Sequence, residues 1–328
     1  MENRRSNVKN RVVGVDISLM ETSIAIVDIR GNILARDSFA TEDYPTISAY
    51  IAKLCERIIN LAESNGGIET IRSVGVSTPS GNYKTGCMEN SPNMPWKGVI
   101  PMAAMMRDQL GLAVALGNDT QVMALGEHAY GSAHGMRTFA IVTLGHGVGN
   151  AMFSDGRLHL GTHGYVGELG HTCVVDHGRE CECGLRGCLE TYVAAKGIVR
   201  TATDLMAESG EPSLMRDMPK LSPKTIEACC EKGDKLAIET FRRTGYMLGI
   251  ALANYAAIID PQAIILAGGV TKAGKWLMGP AEESFAEHLF HNLRGKVRLL
   301  LSSIDDRERD VLGASVLAWE VEEYSLFK

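Results

Sequence analysis

The sequence predicts an α/β protein of two lobes, and three observations carry the prediction. Residues 11–39 and 139–157 repeat one pattern, in which an apolar strand, a tight turn and a returning strand follow each other. Each block is then succeeded by helical runs. A chain of 328 residues, 45% hydrophobic and with 35 glycines, can bury a large core and is long enough to divide in two.

The elements follow in order. Residues 11–17 and 23–27 read as β-rich runs separated by residues 18–22, and a turn at residues 28–32 leads to a third run at 33–39, so the chain opens on a meander. A helix is expected at residues 46–65, with Ile47, Ile51, Leu54, Ile58 and Leu61 as its apolar positions and Gly66 and Gly67 ending it. Residues 71–77 form a buried parallel strand that runs into Thr78, Pro79, Ser80, Gly81 and Asn82, and ligands of α/β sheets gather at such carboxyl ends. Residues 77–96 read as a long loop punctuated by prolines and glycines. A short strand at 113–116 delivers Gly117, Asn118 and Asp119 to the head of a helix that continues through Glu127. An Asp in that place is commonly a cap, and the helix N-terminus favours its ionised form.

In the second half, residues 139–144 make a strand, Gly145, His146, Gly147, Val148 and Gly149 a glycine-rich turn, and residues 150–153 the returning strand. Residues 189–208 and 222–231 read as helices. Residues 234–259 form the longest helix, apolar on most faces and stopped by Asp260 and Pro261. A strand at 263–267 leads to Gly268 and Gly269, which read equally well as a strand-to-helix turn and as bare backbone against a ligand. A final helix is expected at residues 311–324. Cys229 and Cys230 fall inside a helix and read as inert packing residues.

Charge and composition narrow the function. A formal net charge of −6 argues against a polyanionic partner such as nucleic acid. Arg4, Arg5, Lys9 and Arg11 make a short basic N-terminal tail. No run approaches the length of a membrane span and the N-terminal residues lack an apolar export core, so a cytoplasmic location is expected.

The chemistry concentrates at residues 167–190. Cys181, Cys183 and Cys188 lie close together, Gly184 and Gly187 let the backbone fold round them, and His171 stands upstream. Thiolates and imidazole in this ratio make a closed tetrahedral zinc set, the composition of a structural site. A disulfide between Cys181 and Cys183 would close an implausibly small ring. Glu168 precedes the knuckle and Glu190 follows its last cysteine, so a bound metal would fix both together with His171. Rigidly held, acceptor-only carboxylates suit a polyhydroxylated ligand such as a sugar. His171 can give one ring nitrogen to the metal and turn the other outward.

These residues carry a resemblance. The run GELGH at residues 167–171, followed by CECGLRGCLE at 181–190, resembles the signature of the ROK family of bacterial sugar kinases and sugar-responsive repressors, and the likeness extends from Gly14 to about Gly313. It implies a duplicated ribonuclease-H-like fold, as in actin and hexokinase. Residues 1–118 would form a small lobe on which a helix at 311–328 packs back, residues 119–310 a large lobe with the knuckle, and a cleft would lie between them. The implied activity is ATP-dependent phosphorylation of a hexose, with glucose as the default, Asp119 as general base, Mg²⁺ carried by the nucleotide and zinc in a structural role. N-acetylmannosamine or another hexose is the alternative substrate. Gly81, Asn93, Asn118, Asp119, Glu168, His171 and Glu190 would hold the sugar. Asp16, Thr143, Gly145, His146, Gly147, Gly268 and Gly269 would hold the nucleotide, with the paired glycines against adenine. A dimer or tetramer is implied as well.

Two turns depart from the family pattern. After Asp16, where a phosphate loop Asp-x-Gly-Gly-Thr would stand, the chain reads Ile17, Ser18, Leu19, Met20, Glu21, so the glycines and threonine are gone and Glu21 adds negative charge. In the second turn His146 replaces the usual threonine. The first departure supports a second reading, a sugar-binding sensor or degenerate paralogue without kinase activity. Too few residues precede Gly14 for a helix-turn-helix, so DNA binding is not expected.

Overall fold

The computed structural model describes residues 9–91, 94–305 and 308–321. They form two compact units, one from the segments up to His134 and from Ser303 onward, the other Gly135–Ser302.

The first unit opens on the expected meander, β1 (Arg11–Ile17), β2 (Glu21–Asp28) and β3 (Ile33–Ala40). Helix α1 (Ile47–Glu63) follows and covers Tyr50, Ile51, Leu54 and Ile58 completely, each such side chain contributing ~1.5–3 kcal/mol by burial. Strand β4 (Ile71–Thr78) enters next to β1. The long loop is not bare, because β5 (Gly81–Asn82), β6 (Cys87–Glu89) and β7 (Val99–Ile100) pair into a small antiparallel sheet within and just after it. Helix α2 (Met102–Leu110), strand β8 (Ala113–Asn118) and helix α3 (Asp119–Tyr130) complete this segment.

The second unit repeats the opening with β9 (Phe139–Leu144), β10 (Val148–Ser154) and β11 (Arg157–His159). Helices α4 (Glu190–Val193), α5 (Ala195–Glu208), α6 (Pro223–Cys230) and α7 (Lys235–Ile259) come after the knuckle. Strand β12 (Ala263–Ala267), helix α8 (Lys275–His288) and edge strand β13 (Arg298–Leu301) close it. Helix α9 (Arg309–Glu320) then returns to the first unit.

The duplication is explicit in the sheets. One has the order β3-β2-β1-β4-β8 and the other β11-β10-β9-β12-β13. In each, the first three strands pair antiparallel and the last two add in parallel. This is the duplicated ribonuclease-H-like arrangement expected from the sequence.

Several boundaries need correction. The division expected at 118/119 and 310/311 lies at 134/135 and 302/303. The reason is α3, which crosses α9 so closely that a Cβ on Gly126 would lie 3.1 Å from the Cα of Gly313. Helix α9 is seated flush on its sheet, since a Cβ on Gly14 would lie 2.1 Å from the Val311 carbonyl oxygen and one on Gly75 1.9 Å from that of Ala314. The helix expected at 189–208 breaks at Ala194, whose backbone is extended and whose neighbour Ala195 donates its N–H to the Gly145 carbonyl at 2.9 Å. Strand β2 begins at Glu21, so the first turn is shorter than expected. Among the described residues no helix is long and apolar enough to cross a membrane.

Candidate functional site

In the first unit the chemistry gathers at the carboxyl ends of β1, β4 and β8. Register pairs Asp16 with Ser77 and Thr78 with Asn118, which lines these residues up across parallel strands. Gly81 is pressed onto this edge, because a Cβ there would lie 2.4 Å from the Gly117 carbonyl oxygen. Asn118 caps α3, its Oδ1 accepting from the Thr120 amide at 3.0 Å. Asp119 begins that helix, and its Oδ1 accepts from the Thr120 amide at 2.7 Å and the Thr120 hydroxyl at 3.3 Å, which fixes the rotation of the carboxylate. Burial raises the Asp119 pKa above the ordinary carboxyl range, against these hydrogen bonds. Asp16 is pushed up to about 8, first by burial and then by the negative charge of Asp310, while a hydrogen bond from Ser77 acts the other way.

Sequence reasoning missed Asp310 and its neighbour Arg309. Both lie in the first turn of α9, and Arg309 is buried although charged, which is rare unless the charge is paired; Asp310 lies 3.9 Å from it. An Arg-Asp pair opening an otherwise apolar helix was the available signal. Asn93, expected to hold sugar hydroxyls, lies outside the described residues.

The first turn itself is closed on its own side chain. Ser18 donates its amide to the Glu21 carbonyl at 3.0 Å and its hydroxyl to the same oxygen at 2.8 Å, and the Glu21 amide returns to the Ser18 hydroxyl at 3.2 Å. Leu19 and Met20 point to solvent, 45% and 61% exposed.

In the second unit the knuckle and the glycine turn come together. The ligand atoms of His171, Cys181, Cys183 and Cys188 all lie within 4.8 Å of one another, with 3.7 Å between His171 Nδ1 and Cys181 Sγ and 3.7 Å between the sulfurs of Cys183 and Cys188. A zinc tetrahedron with Zn–S of ~2.3 Å has sulfur–sulfur edges of ~3.8 Å, so the donor set fits that ion. His171 turns its other nitrogen, Nε2, toward Glu168 Oε2 at 4.0 Å. Arg179, which the sequence did not single out, anchors the loop: it donates to the carbonyls of Thr191 at 2.9 Å and Gly197 at 3.1 Å, pairs with Asp204 at 2.8 Å, and lies over the Tyr192 ring.

Glu190 opens α4 and its Oε2 accepts the Val148 amide at 2.9 Å. A Cβ on Gly147 would lie 2.5 Å from that oxygen, so the carboxylate requires glycine there. The loop of Glu168 also presses on β10, since a Cβ on Gly170 would meet the Val148 carbonyl oxygen at 2.7 Å. Within the turn, the Gly145 amide donates to the Gly147 carbonyl at 3.0 Å, and His146 is exposed. Thr143 pairs with Ala267 across β9 and β12, which brings Gly268 beside the turn; a Cβ on Gly268 would lie 2.4 Å from the Leu144 carbonyl oxygen. Gly269 lines a separate cavity of about 330 Å³ with Val270, Lys272, Ala273, Lys224 and Glu227.

With this geometry established, comparison with known proteins places the chain. The ROK family model matches residues 12–321. A glucokinase of Halalkalibacterium halodurans is 30% identical over 83% of this chain and 84% of its own length. The crystal structure of a ROK family glucokinase from Streptomyces griseus, in complex with glucose and AMPPNP, is 28% identical, superposes with a TM-score of 0.77, and is covered over 95% of this chain and 100% of that one. A ROK family transcriptional regulator, a homologue of the Escherichia coli MLC protein, is 25% identical with a TM-score of 0.82, over 95% of this chain and 78% of its own.

Proposed function

The chain belongs to the ROK family, and from that premise we propose that it transfers the γ-phosphoryl group of ATP to a hydroxyl of a hexose, with Asp119 as the base. The observation that carries this reading is Asp119 itself, held at a helix head by Thr120 beside Asn118 and Gly81. One carboxylate oxygen is committed to orientation, which assigns proton transfer to the other. A base of raised pKa holds the proton better near neutral pH than an ordinary Asp would.

In the reaction the sugar oxygen forms a bond to the γ-phosphorus, the bond from that phosphorus to the β,γ-bridging oxygen breaks, the hydroxyl proton goes to Asp119, and ADP leaves. The protein's share is positioning and charge neutralisation. Glu168 and His171 accept and donate to sugar hydroxyls. Glu190 would do so with Oε1 while Oε2 keeps the glycine turn in shape. His146 and the turn amides would face phosphate and Gly268 and Gly269 the adenosine, while Mg²⁺ bound to the nucleotide would offset part of its charge. His171, Cys181, Cys183 and Cys188 would hold zinc, which supplies cross-linking of the loop and no chemistry on the substrate.

The closed first turn favours one alternative, a sugar-binding sensor without kinase activity. Coupled-enzyme release of ADP across glucose, N-acetylmannosamine, mannose, fructose and allose at millimolar ATP distinguishes the two. Turnover with one hexose is expected. Hexose binding by calorimetry without ADP release from any of them would move the chain to the sensor class. Metal analysis should find about one zinc per chain, lost in Cys183→Ser together with sugar binding. A metal-free chain that folds and binds sugar would remove zinc from the account.

A further inference from the structure

The knuckle loop holds another thiol, one that the metal set does not use. Cys173 lies just past His171, is exposed, and is not among the side chains whose ligand atoms converge on one point. Its Sγ makes a weak contact with the Val175 carbonyl oxygen at 3.5 Å.

The backbone decides what this thiol can reach. Cys173 and Cys188 face each other in an isolated antiparallel bridge. The Val174 amide donates to the Gly187 carbonyl at 2.9 Å and the Leu189 amide to the Thr172 carbonyl at 3.0 Å, so the bonds flank the pair and do not join it. That is the non-hydrogen-bonded position of an antiparallel ladder, where opposed Cα atoms stand about 4.5 Å apart and side chains come closest. A disulfide spans Cα atoms roughly 4.4–6.8 Å apart, so the position admits one. Gly187 keeps the space clear: a Cβ there would lie 3.2 Å from the Cys173 sulfur and 1.8 Å from the Val175 carbonyl oxygen.

We propose that Cys173 and Cys188 are a redox pair, which hydrogen peroxide oxidises to a disulfide that withdraws Cys188 from the metal set. Cys188 is fully buried while Cys173 is open to solvent, so the oxidant meets Cys173 first. The Cys173 sulfur takes one oxygen from the peroxide and becomes a sulfenic acid, and the other oxygen leaves as water. The Cys188 sulfur then attacks that sulfur, the S–O bond breaks, the thiol proton goes to the departing oxygen, and a second water leaves. Two thiols thus lose two electrons and two protons, and one peroxide becomes two waters. The competing partner, Cys183, has its sulfur 3.7 Å from that of Cys188, but both belong to the metal set, whereas Cys173 is free to react with the metal in place. Glu190, just beyond Cys188, shapes the glycine turn through the Val148 amide, so the bond would be felt there too. Metal withdrawal rests on the zinc reading of the knuckle; the disulfide does not.

The test treats the purified chain with hydrogen peroxide, native and as Cys173→Ser, reading disulfides by peptide mapping and released metal with a chromogenic chelator. A peptide joining Cys173 to Cys188 is expected in the native chain, with both thiols restored by dithiothreitol. Metal release should be at least about tenfold slower in Cys173→Ser, whose metal content, melting temperature and hexose affinity before treatment should match the native chain. Alkylating Cys173 of the native chain with iodoacetamide beforehand should protect the metal equally, so the result does not hang on how the variant folds. A peptide joining Cys183 to Cys188 in its place, or equal metal release from native and Cys173→Ser chains, overturns the proposal. Oxidation that stops on Cys173 and leaves Cys188 a free thiol overturns it as well. The expected linkage in a chain that holds no metal upholds the pair and overturns the zinc reading alone.

Discussion

The turn at Ser18 and the turn at Gly145 occupy the same place in two copies of one sheet, yet they have been built for different ends. The first spends its polar groups on itself: the Ser18 amide and hydroxyl and the Glu21 amide are all satisfied within the turn. The second keeps glycines, and its shape is imposed from outside by Glu190, which ties it to the cysteine-histidine knuckle. Duplication supplies symmetric scaffolds, and the side chains that follow each first strand give the two turns different shapes. The first unit retains the carboxylates instead, with Asp16, Asp119 and Asp310 at one sheet end.

The largest expected effect bears on the carboxylate side of this contrast. Asp119→Asn keeps size and most hydrogen bonding, so kcat should fall roughly 10²-fold or more while hexose affinity changes far less. An equal loss of both would make Asp119 a helix cap. On the other side, Glu168→Gln removes an ionised acceptor whose bonds are worth roughly 1.5–3 kcal/mol, so hexose Kd should rise about tenfold. Unchanged affinity by calorimetry would return Glu168 to the solvated surface.

A smaller effect sharpens the comparison directly. Replacing Ser18 and Leu19 together by glycine opens the self-closed turn to phosphate and should lower KM for ATP about two- to fivefold, an effect of under ~1 kcal/mol. If KM rises, the Ser18 closure supports nucleotide binding and the two turns are less different than they look.

The last concerns stability rather than turnover, through Asp16, whose pKa is raised from 3.8 to about 8. Below about pH 4 the group is protonated in folded and unfolded chains alike and has no effect on stability. Between about 4 and 8 the unfolded chain releases its proton first, so stability falls as pH rises, and above about 8 the loss is constant. Asp16→Asn should therefore melt like the native chain near pH 4 and gain progressively toward pH 8, by roughly 1.5–3 °C for each kcal/mol recovered, according to whether the whole chain or the first unit alone unfolds cooperatively. A difference in melting temperature that stays flat with pH would show Asp16 to be ordinary.

Much of this was legible beforehand. The two meanders announced themselves through apolar alternation and turn residues, and the knuckle through three cysteines and a histidine spaced as a metal-ligand set. Helix α8 was not legible, because Gly279 and Pro280 interrupt its pattern; it forms against α7, where Gly245 approaches the Leu277 carbonyl closely enough that a Cβ would lie 2.7 Å away. Strand β13 is four residues at a sheet edge, too short an apolar run to assign by period. The break at Ala194 depends on a bond to Gly145, far away in sequence, and the roles of Arg309 and Asp310 depend on where α9 lands. Local pattern reports elements, while these features are set by what the elements meet.

That landing also governs how the chain is made. Strands β1 and β4 present Gly14 and Gly75 to a helix that is synthesised only after the whole of Gly135–Ser302. At ~5–20 residues per second the ribosome needs roughly 10–30 s to cross that interval. Throughout it the first sheet waits with one apolar face unfilled, whereas the second unit has all its strands in hand as soon as its own segment emerges. The part of the protein translated first is therefore the part finished last.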